Sequence, residues 1–285
     1  MAEEVRRYGG VFNEIADEYD RRRPPYPDAL IDRACEVAGL TPGASVLEIG
    51  SGTGKLTRGL LARGLRVVAV EPGDQLIARA RDQLEGEVQF VNARLEDATL
   101  PAAQYRAVMS ASAIQWVDPD VSWHKIANAL VEGGSVALFS YFGLQDRRSD
   151  SDQQAVRGAL ASIAPELAAA SPTDRTLDAM LEGAALRRDN VSEAWAWLGN
   201  YDVARGYAAD LFEDVQLVAE PVLIEQTPSE LNALLRTTSF WARLSPGQRD
   251  ALCAENHALH ERLGRPIRSS LAAALMTARR VRRPA

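Results

Sequence analysis

The sequence predicts a doubly wound α/β fold for residues 45–140, because short apolar runs there alternate with amphipathic helical stretches. Each apolar run is three to five residues long, which is typical of a strand buried in the middle of a sheet. The helical stretches supply right-handed crossover connections, which lead to a parallel sheet covered on both faces. Five runs are predicted to be strands: 46–49, 67–70, 88–91, 107–109 and 135–139.

Further elements follow from the same patterns and from helix-capping signals. Helices are predicted between the strands at 55–63, 74–84 and 120–131. Two later helices are predicted to begin at capping boxes, one formed by Thr227 with Glu230 and the other by Ser245 with Gln248. Two further strands, one before and one after these helices, are predicted at 215–226 and 271–281.

Residues 145–209 form a separate block that is rich in alanine and poor in β-branched residues. The pattern predicts a helical insertion, and we expect it to act as a lid, since the chain leaves the core where ligands of open α/β sheets bind. Three aromatic residues of this block are candidates for the wall of a pocket for an apolar substrate: Trp195, Trp197 and Tyr201. Residues 1–40 are also helical in pattern, with a break at the Arg- and Pro-rich run 21–27.

The composition argues against several classes of protein. The chain of 285 residues carries 32 Lys and Arg against 39 Asp and Glu, and this net charge of −7 is unsuited to a non-specific polyanion binder. No apolar stretch approaches the length of a membrane span, and the N-terminus lacks the layout of a signal peptide, so we expect a cytoplasmic protein. Cys35 and Cys253 are too few for a disulfide framework, and His257 and His260 lack a third metal ligand, so we expect no metal site.

The most informative segment is 46–54, where a predicted strand runs into Gly50, Gly52 and Gly54 and then into a helix. Such a turn brings bare backbone close to a ligand at a helix N-terminus. A phosphate-binding P-loop needs glycine five residues before Gly54 and Ser or Thr after the lysine, but the chain has Ile49 and Leu56 there. The dinucleotide fingerprint fails as well, because its third glycine would fall at Lys55.

Two acidic residues near this turn indicate the charge of the ligand. Glu48 precedes the first glycine by two residues, where an acid disfavours a pyrophosphate and favours a cation. Glu71 ends the second predicted strand, where an acid accepts hydrogen bonds from ribose hydroxyls. A cationic ribonucleoside without a pyrophosphate fits both positions, and S-adenosylmethionine (SAM) is such a molecule.

The run 46–54 with Glu71 and Pro72 resembles motif I and the second-strand acid of the class I SAM-dependent methyltransferases. Other segments resemble the small-molecule (type 11) branch of that family, in the same order along the chain. They are Phe12, Ala16 and Tyr19 followed by 23–27, then 94–97, 110–118, Thr238 with Ser239, and 278–280. The similarity extends over residues 10–143 and 210–283.

This resemblance implies a Rossmann-like sheet of seven strands whose last strand is antiparallel. It implies a SAM-binding core with an N-terminal helical cover at 1–144, the helical lid at 145–209 and the remainder of the core at 210–285. The implied activity is methyl transfer from SAM to a small organic acceptor in specialised metabolism, with neither nucleic acid nor membrane as a partner. Two alternatives stay open: a SAM-fold protein that rearranges or only binds its ligand, and, less favoured, a nicotinamide-dependent dehydrogenase.

The motifs, the N-terminal cover and the lid supply the expected site residues. The expected SAM contacts are Glu48, Gly50, Ser51, Gly52, Thr53, Gly54, Glu71, Pro72, Leu95, Glu96 and Ser112. The expected acceptor contacts are Tyr19, Tyr26, Trp116, Trp197 and Ser239. No side chain is marked as the general base, because Gln115 stands where many relatives have a histidine; Tyr19 and His124 are the catalytic candidates.

Overall fold

The computed structural model describes residues 11–200 and 208–282, so Tyr201 lies outside the described residues, as do the first ten and last three residues of the chain. The described strands form one sheet of seven. Their bounds are β1 Ser45–Ile49, β2 Arg66–Val70, β3 Val88–Val91, β4 Tyr105–Ala111, β5 Leu130–Gly143, β6 Phe212–Gln226 and β7 Ile267–Arg280.

The sheet has the order β3-β2-β1-β4-β5-β7-β6. The first five strands of this order are mutually parallel, and β7 is antiparallel to both of its neighbours. The predicted fold class is therefore confirmed, including the antiparallel last strand. The order reverses next to β1, between β1 and β4, which is the point where open α/β sheets leave a crevice for a ligand.

Several strands are longer than the apolar runs that predicted them. The run 107–109 lies within β4, and the run 135–139 lies within β5. Both strands extend beyond these runs because their backbone hydrogen bonding to neighbouring strands extends further. Tyr105 still pairs with Leu130, and Gly143 still pairs with Leu271 of β7. Apolar runs mark the buried middle of a strand, whereas the hydrogen-bonded partner determines where the strand ends.

Helices cover both faces of the parallel part of the sheet. They are α1 Val11–Glu14, α2 Ala16–Arg22, α3 Asp28–Ala38, α4 Lys55–Leu61, α5 Asp74–Gln83 and α6 Pro119–Ala129. Val46 and Leu47, which are adjacent on β1, belong to two different apolar clusters, as expected when successive side chains point to opposite faces. Helices α3 and α4 contribute to the cluster of Val46, and α6 contributes to the cluster of Leu47.

The described part of the predicted insertion is helical. It contains α7 Asp150–Ile163, α8 Pro165–Ala170, α9 Leu177–Ala185 and α10 Val191–Gly199. An ion pair at the buried Asp152 fastens α7 to the start of β7, since its carboxylate accepts hydrogen bonds from the Arg265 guanidinium and from the Arg268 amide. This end of the insertion is thereby held to the sheet.

Three helices connect β6 to β7. They are α11 Pro228–Arg236, α12 Ser239–Arg243 and α13 Pro246–Leu263. Both predicted capping boxes are present, with Thr227 and Glu230 at the start of α11 and with Ser245 and Gln248 at the start of α13. None of the helices in the described part of the chain is long and apolar enough to cross a bilayer.

Candidate functional site

Two adjoining cavities lie at the carboxyl ends of β1, β2 and β4. The smaller cavity has a volume of about 330 Å³, and the larger cavity has a volume of about 390 Å³. They share a wall, which is formed by Phe12, Tyr19, Gly50, Gly52, Ala111, Ser112, Trp116 and Val117. The glycine loop thus borders two spaces, each of which is large enough for part of a small ligand.

The three glycines of the loop are required for different reasons. All of them have positive φ, at +67° for Gly50, +54° for Gly52 and +85° for Gly54. A Cβ atom on Gly50 would lie 2.3 Å from the Cβ of Ala113, and a Cβ on Gly54 would lie 2.7 Å from a methyl group of Leu84. A Cβ on Gly52 would meet no atom within 4 Å, so this glycine leaves open space beside the cavities rather than relieving a clash.

Glu71 connects the end of β2 to the glycine loop. One carboxylate oxygen accepts the Gly52 amide at 2.9 Å, and the other accepts the Gly73 amide at 2.8 Å. The side chain lines the smaller cavity and is 5% exposed. Burial raises the pKa of this carboxyl above its ordinary value, and the two amide donors partly offset that increase.

Glu48 lies beneath the loop, and it lines neither cavity. Its side chain is fully buried on the α4 side of the sheet, where the Thr57 hydroxyl donates to one carboxylate oxygen at 2.7 Å. The other oxygen has no hydrogen-bond partner among the residues that the structure describes. Burial, opposed by the Thr57 hydrogen bond and reinforced by repulsion from Glu71, raises the pKa of Glu48 to about 7. The expectation that Glu48 offers its charge from the wall of the ligand site is corrected here, because β1 turns this side chain away from the cavities.

Three more of the residues expected to contact SAM surround the smaller cavity. Pro72, Leu95 and Glu96 all line it. The Glu96 carboxylate accepts the Asp118 amide at 3.0 Å and lies 3.5 Å from the Arg94 guanidinium. These contacts fix the loop after β3 against the start of α6, which closes this side of the cavity.

The N-terminal helices cover the glycine loop. The Thr53 hydroxyl donates to the Asp20 carboxylate at 2.9 Å, and the Lys55 ammonium donates to the Asp20 carbonyl. Ser51 and Thr53 line the larger cavity, and the buried Ser51 hydroxyl has no partner within the described segments. Tyr19 lines both cavities, with the Arg23 guanidinium 5.7 Å from its ring centroid. Gly54 lines neither cavity; it begins α4 behind the loop.

Tyr26 and Ser112 meet above the loop after β4. Their hydroxyl oxygens are 2.9 Å apart, and the Tyr26 ring stacks on Tyr141 with 5.5 Å between centroids. Ser112 has a φ of +51°, which is uncommon for a residue with a side chain, and its amide donates to the Phe139 carbonyl. Tyr26 and Ser112, which were both expected at the site, line the larger cavity. Ser112 also lines the smaller one.

The remaining expected residues divide into two groups. Trp116 and Ser239 line the larger cavity, as expected of acceptor contacts. His124 is exposed on α6 and lines neither cavity. This position does not fit the catalytic role that was expected of it. Trp197 also lines neither cavity; its ring lies between the guanidinium groups of Arg175 and Arg187, with centroid distances of 4.3 and 4.7 Å.

Trp195 takes the position that was expected of Trp197. It is 3% exposed and lines the larger cavity, and its ring contacts Phe142 edge-on. Trp195 and Trp197 are two residues apart on α10, which places them on roughly opposite faces of the helix. Only one of the two tryptophans can therefore face the cavity. The indole N–H of Trp195 has no hydrogen-bond acceptor in the described structure.

The helical insertion and the C-terminal helices complete the larger cavity. Lining residues from the insertion include Leu167 on α8 and Ala196 on α10, and α12 contributes Phe240 and Arg243. Sequence reasoning missed Phe240 and Arg243, because neither belongs to a motif that carries its own signal. Movement of the insertion over the cavity stays a prediction.

Comparisons with known proteins agree with this geometry. Residues 47–138 match the family model described as Methyltransferase domain (Methyltransf_11). The chain is 37% identical over 129 residues to an uncharacterized methyltransferase of Mycobacterium tuberculosis, a match that covers 45% of this chain and 50% of the relative. The chain thus spans about half the length of the first curated relatives that it matches.

Solved structures show the same fold over most of the chain. A structure from Anaeromyxobacter dehalogenans, described provisionally as a type II methyltransferase, has a TM-score of 0.56 at 22% identity and covers 90% of this chain and 97% of its own. The YcgJ protein from Bacillus subtilis has a TM-score of 0.53 at 15% identity and covers 90% of this chain and 99% of its own. Residues 47–138 thus match a methyltransferase domain by sequence, and the wider chain shares the fold of these solved structures.

Proposed function

We propose that this chain binds SAM at the glycine loop and transfers its methyl group to a small organic acceptor held in the larger cavity. The observation that carries the proposal is the shared wall of the two cavities at Gly50, Gly52 and Ser112. A two-substrate transfer needs two ligand spaces that meet at the reacting atoms, because the enzyme contributes chiefly by fixing their approach.

The residues around the loop fit SAM by their chemistry. Gly52 leaves open space beside both cavities, and Glu71 offers carboxylate oxygens in the smaller one for ribose hydroxyls. The buried Ser51 hydroxyl lines the larger cavity and lacks a partner within the described chain, so a polar group at the loop is left for a ligand or water. When bound, SAM supplies a methyl group that is activated by its sulfonium.

Each part of the chain then has a separate task. Glu71, Pro72, Leu95 and Glu96 would hold the adenosyl part in the smaller cavity, and the loop residues would hold the methionyl part. Tyr19 and Trp116 stand in the shared wall, where their rings exclude water from the meeting point.

Tyr19 is better suited to donate a hydrogen bond than to act as a base. Desolvation by the surrounding protein raises the pKa of its hydroxyl, with a smaller lowering effect from Arg23 and a raising effect from Glu71. The hydroxyl therefore keeps its proton at neutral pH, and with His124 outside the cavities neither of the two catalytic candidates supplies a base.

The proposal is tested by incubating the full chain with SAM carrying a labelled methyl group and a panel of acids, phenols, amines and activated carbon acids. We expect one class to become labelled while S-adenosylhomocysteine forms in equal amount. If SAM binds and is recovered intact with every class, the protein is instead a SAM-binding protein that does not transfer the methyl group. If nicotinamide dinucleotides bind and SAM does not, the proposal fails altogether.

A further inference from the structure

We propose that the acceptor is a carboxylic acid with an apolar body, and that its carboxylate oxygen receives the methyl group to give a methyl ester. This inference rests on the proposed function and specifies its acceptor. Two features of the larger cavity carry it: the sign of its charged side chains, and the lack of a base among its described lining residues.

Three cationic side chains line the larger cavity: Arg23, Lys55 and Arg243. No Asp, Glu or His from residues 11–200 or 208–282 lines it. The smaller cavity differs, since Glu71 and Glu96 line it together with Arg94. Because a cation without a carboxylate partner attracts an anion nearby, the charge of the larger cavity favours an anionic ligand.

The three cations differ in how far the protein already neutralises them. Lys55 lies 3.6 Å from the Asp20 carboxylate, so its charge is largely satisfied within the protein. Arg23 donates to the hydroxyl of Thr237 at 3.1 Å and to its carbonyl at 2.8 Å, and both of these acceptors are uncharged. Arg243 is exposed at the edge of the cavity and has no ion pair within the described residues. Two guanidinium groups therefore lack a carboxylate.

SAM itself brings one carboxylate on its methionyl part, and this group can pair with one of the two guanidinium groups. The second cation is then left for the acceptor. A guanidinium suits this role because its planar donors match both oxygens of a carboxylate. A neutral or cationic acceptor would leave that guanidinium unpaired.

The rest of the cavity wall is suited to an apolar body. Aromatic rings form a part of it, among them those of Tyr26, Trp116, Trp123, Tyr141, Trp195 and Phe240. The buried indole N–H of Trp195 has no acceptor within the described chain, so a ligand with a hydrogen-bond acceptor satisfies it. A flat or extended hydrocarbon body bearing one carboxylate combines these requirements.

A carboxylate also explains how transfer proceeds without a base. An ordinary carboxylic acid is ionised at neutral pH, so its oxygen already holds the electron pair that attacks. That oxygen forms a bond to the methyl carbon while the carbon–sulfur bond breaks, and the bond's electrons stay on sulfur, giving S-adenosylhomocysteine. The products are a methyl ester and a thioether, and no proton is transferred. An alcohol or a carbon acid would need a proton acceptor, and no Asp, Glu or His of the described wall supplies one.

The test compares matched acids and amides in the presence of S-adenosylhomocysteine, using calorimetry on the full chain at pH 7. The probes are indole-3-acetate with indole-3-acetamide, and 3-phenylpropanoate with 3-phenylpropanamide. We expect each acid to bind about 10- to 100-fold more tightly than its amide, which is the usual range for hydrogen bonds to a charged group. Arg243→Gln and Arg23→Gln should reduce this preference, and Arg243→Lys should retain part of it. Arg236→Gln is the matched control, because Arg236 is exposed on α11 outside both cavities.

Equal binding of acid and amide, including no binding of either, overturns the proposal. Arg243 is exposed, so its variant keeps the test valid even if loss of the Thr237 hydrogen bonds destabilises Arg23→Gln. In turnover with labelled SAM, an ester releases its label as methanol in alkali, whereas ethers and N- or C-methyl products do not. Alkali-stable label would overturn the proposal while leaving methyl transfer intact, and binding of S-adenosylhomocysteine in the same samples shows separately whether the cofactor site works.

Discussion

The carboxylate of Glu71 accepts a hydrogen bond from the backbone amide of Gly52 at 2.9 Å. The second-strand acid and the glycine loop, which the sequence presents as two separate signals, are therefore one structural unit. The same carboxylate also accepts the Gly73 amide, so it orders the turn after β2 as well as the loop after β1. Changes at either residue should affect the same binding site.

Replacing Glu71 by alanine should weaken the binding of S-adenosylhomocysteine by about 1.5–3 kcal/mol, the usual worth of hydrogen bonds to a charged group. The variant loses both the acceptors for the ribose and the support of the Gly52 amide. Calorimetry on the folded variant measures the effect. Glu87→Ala is the control, because Glu87 is exposed just before β3 and lines neither cavity. An unchanged dissociation constant for Glu71→Ala would mean that the ribose binds elsewhere.

Replacing Gly52 by valine should abolish SAM binding and leave the chain folded. Its side chain would occupy the open space beside the two cavities. A valine at the positive φ of Gly52 will itself cost some stability. Gly43→Val controls for this cost, since Gly43 has a φ of +86° and equally open surroundings away from the cavities. Circular dichroism and calorimetry should show two variants of similar stability, of which only Gly43→Val binds. Wild-type affinity in folded Gly52→Val would refute the assignment of the loop.

Glu48 should make the stability of the ligand-free protein depend on pH. Because its pKa rises from 4.5 to about 7 on folding, the folded state binds this proton more tightly than the unfolded state between those values. The free energy of unfolding should therefore fall as pH rises through this range, by up to about 3 kcal/mol. The uncharged Glu48→Gln variant should lose this dependence and be more stable than the wild type at pH 8, with little difference at pH 5.

Urea unfolding of both proteins at pH 5, 6, 7 and 8 measures the difference directly. Other titrating groups are common to both chains and should cancel in the comparison, except Glu71, which repels the Glu48 carboxylate in the wild type alone. A wild-type protein that is as stable as Glu48→Gln at pH 8 would mean that the buried Glu48 carboxyl ionises without cost.

Replacing Trp195 by phenylalanine should weaken acceptor binding and leave the affinity for S-adenosylhomocysteine nearly unchanged. The substitution keeps an aromatic ring in the cavity wall but removes the unpaired indole N–H. Trp197→Phe is the matched control on the same helix, because Trp197 contacts Arg175 and Arg187 outside the cavities. Equal effects of the two substitutions on acceptor binding would remove Trp195 from the acceptor site.

The tryptophan pair illustrates what the sequence could and could not predict. The apolar runs predicted the middle of every strand of the parallel sheet, and the spacing around Gly50 and Glu71 predicted the loop and its acid. Local patterns could not tell which of two tryptophans on α10 faces a cavity, because that depends on how the helix is rotated against the sheet.

Long-range contacts account for the other differences. Arg243 and Gly52 line the same cavity although they are far apart in the chain, so no local spacing could bring Arg243 into the prediction. Glu48 was expected beside the ligand because of its place in the motif, but the alternation of side chains along β1 directs it under the loop. The hydrogen bond from Thr57 that holds Glu48 in this buried position is evident only in the folded chain.

A crystal structure of the protein with S-adenosylhomocysteine would show where the nucleoside binds. We expect the ribose hydroxyls to lie within hydrogen-bond distance of the Glu71 carboxylate, with the adenine beside Leu95 and the sulfur at the wall shared by the two cavities. We also expect the larger cavity to stay open to an acceptor. A nucleoside bound away from Gly52 and Glu71, or one that fills both cavities and leaves no room for an acceptor, would contradict the proposed function.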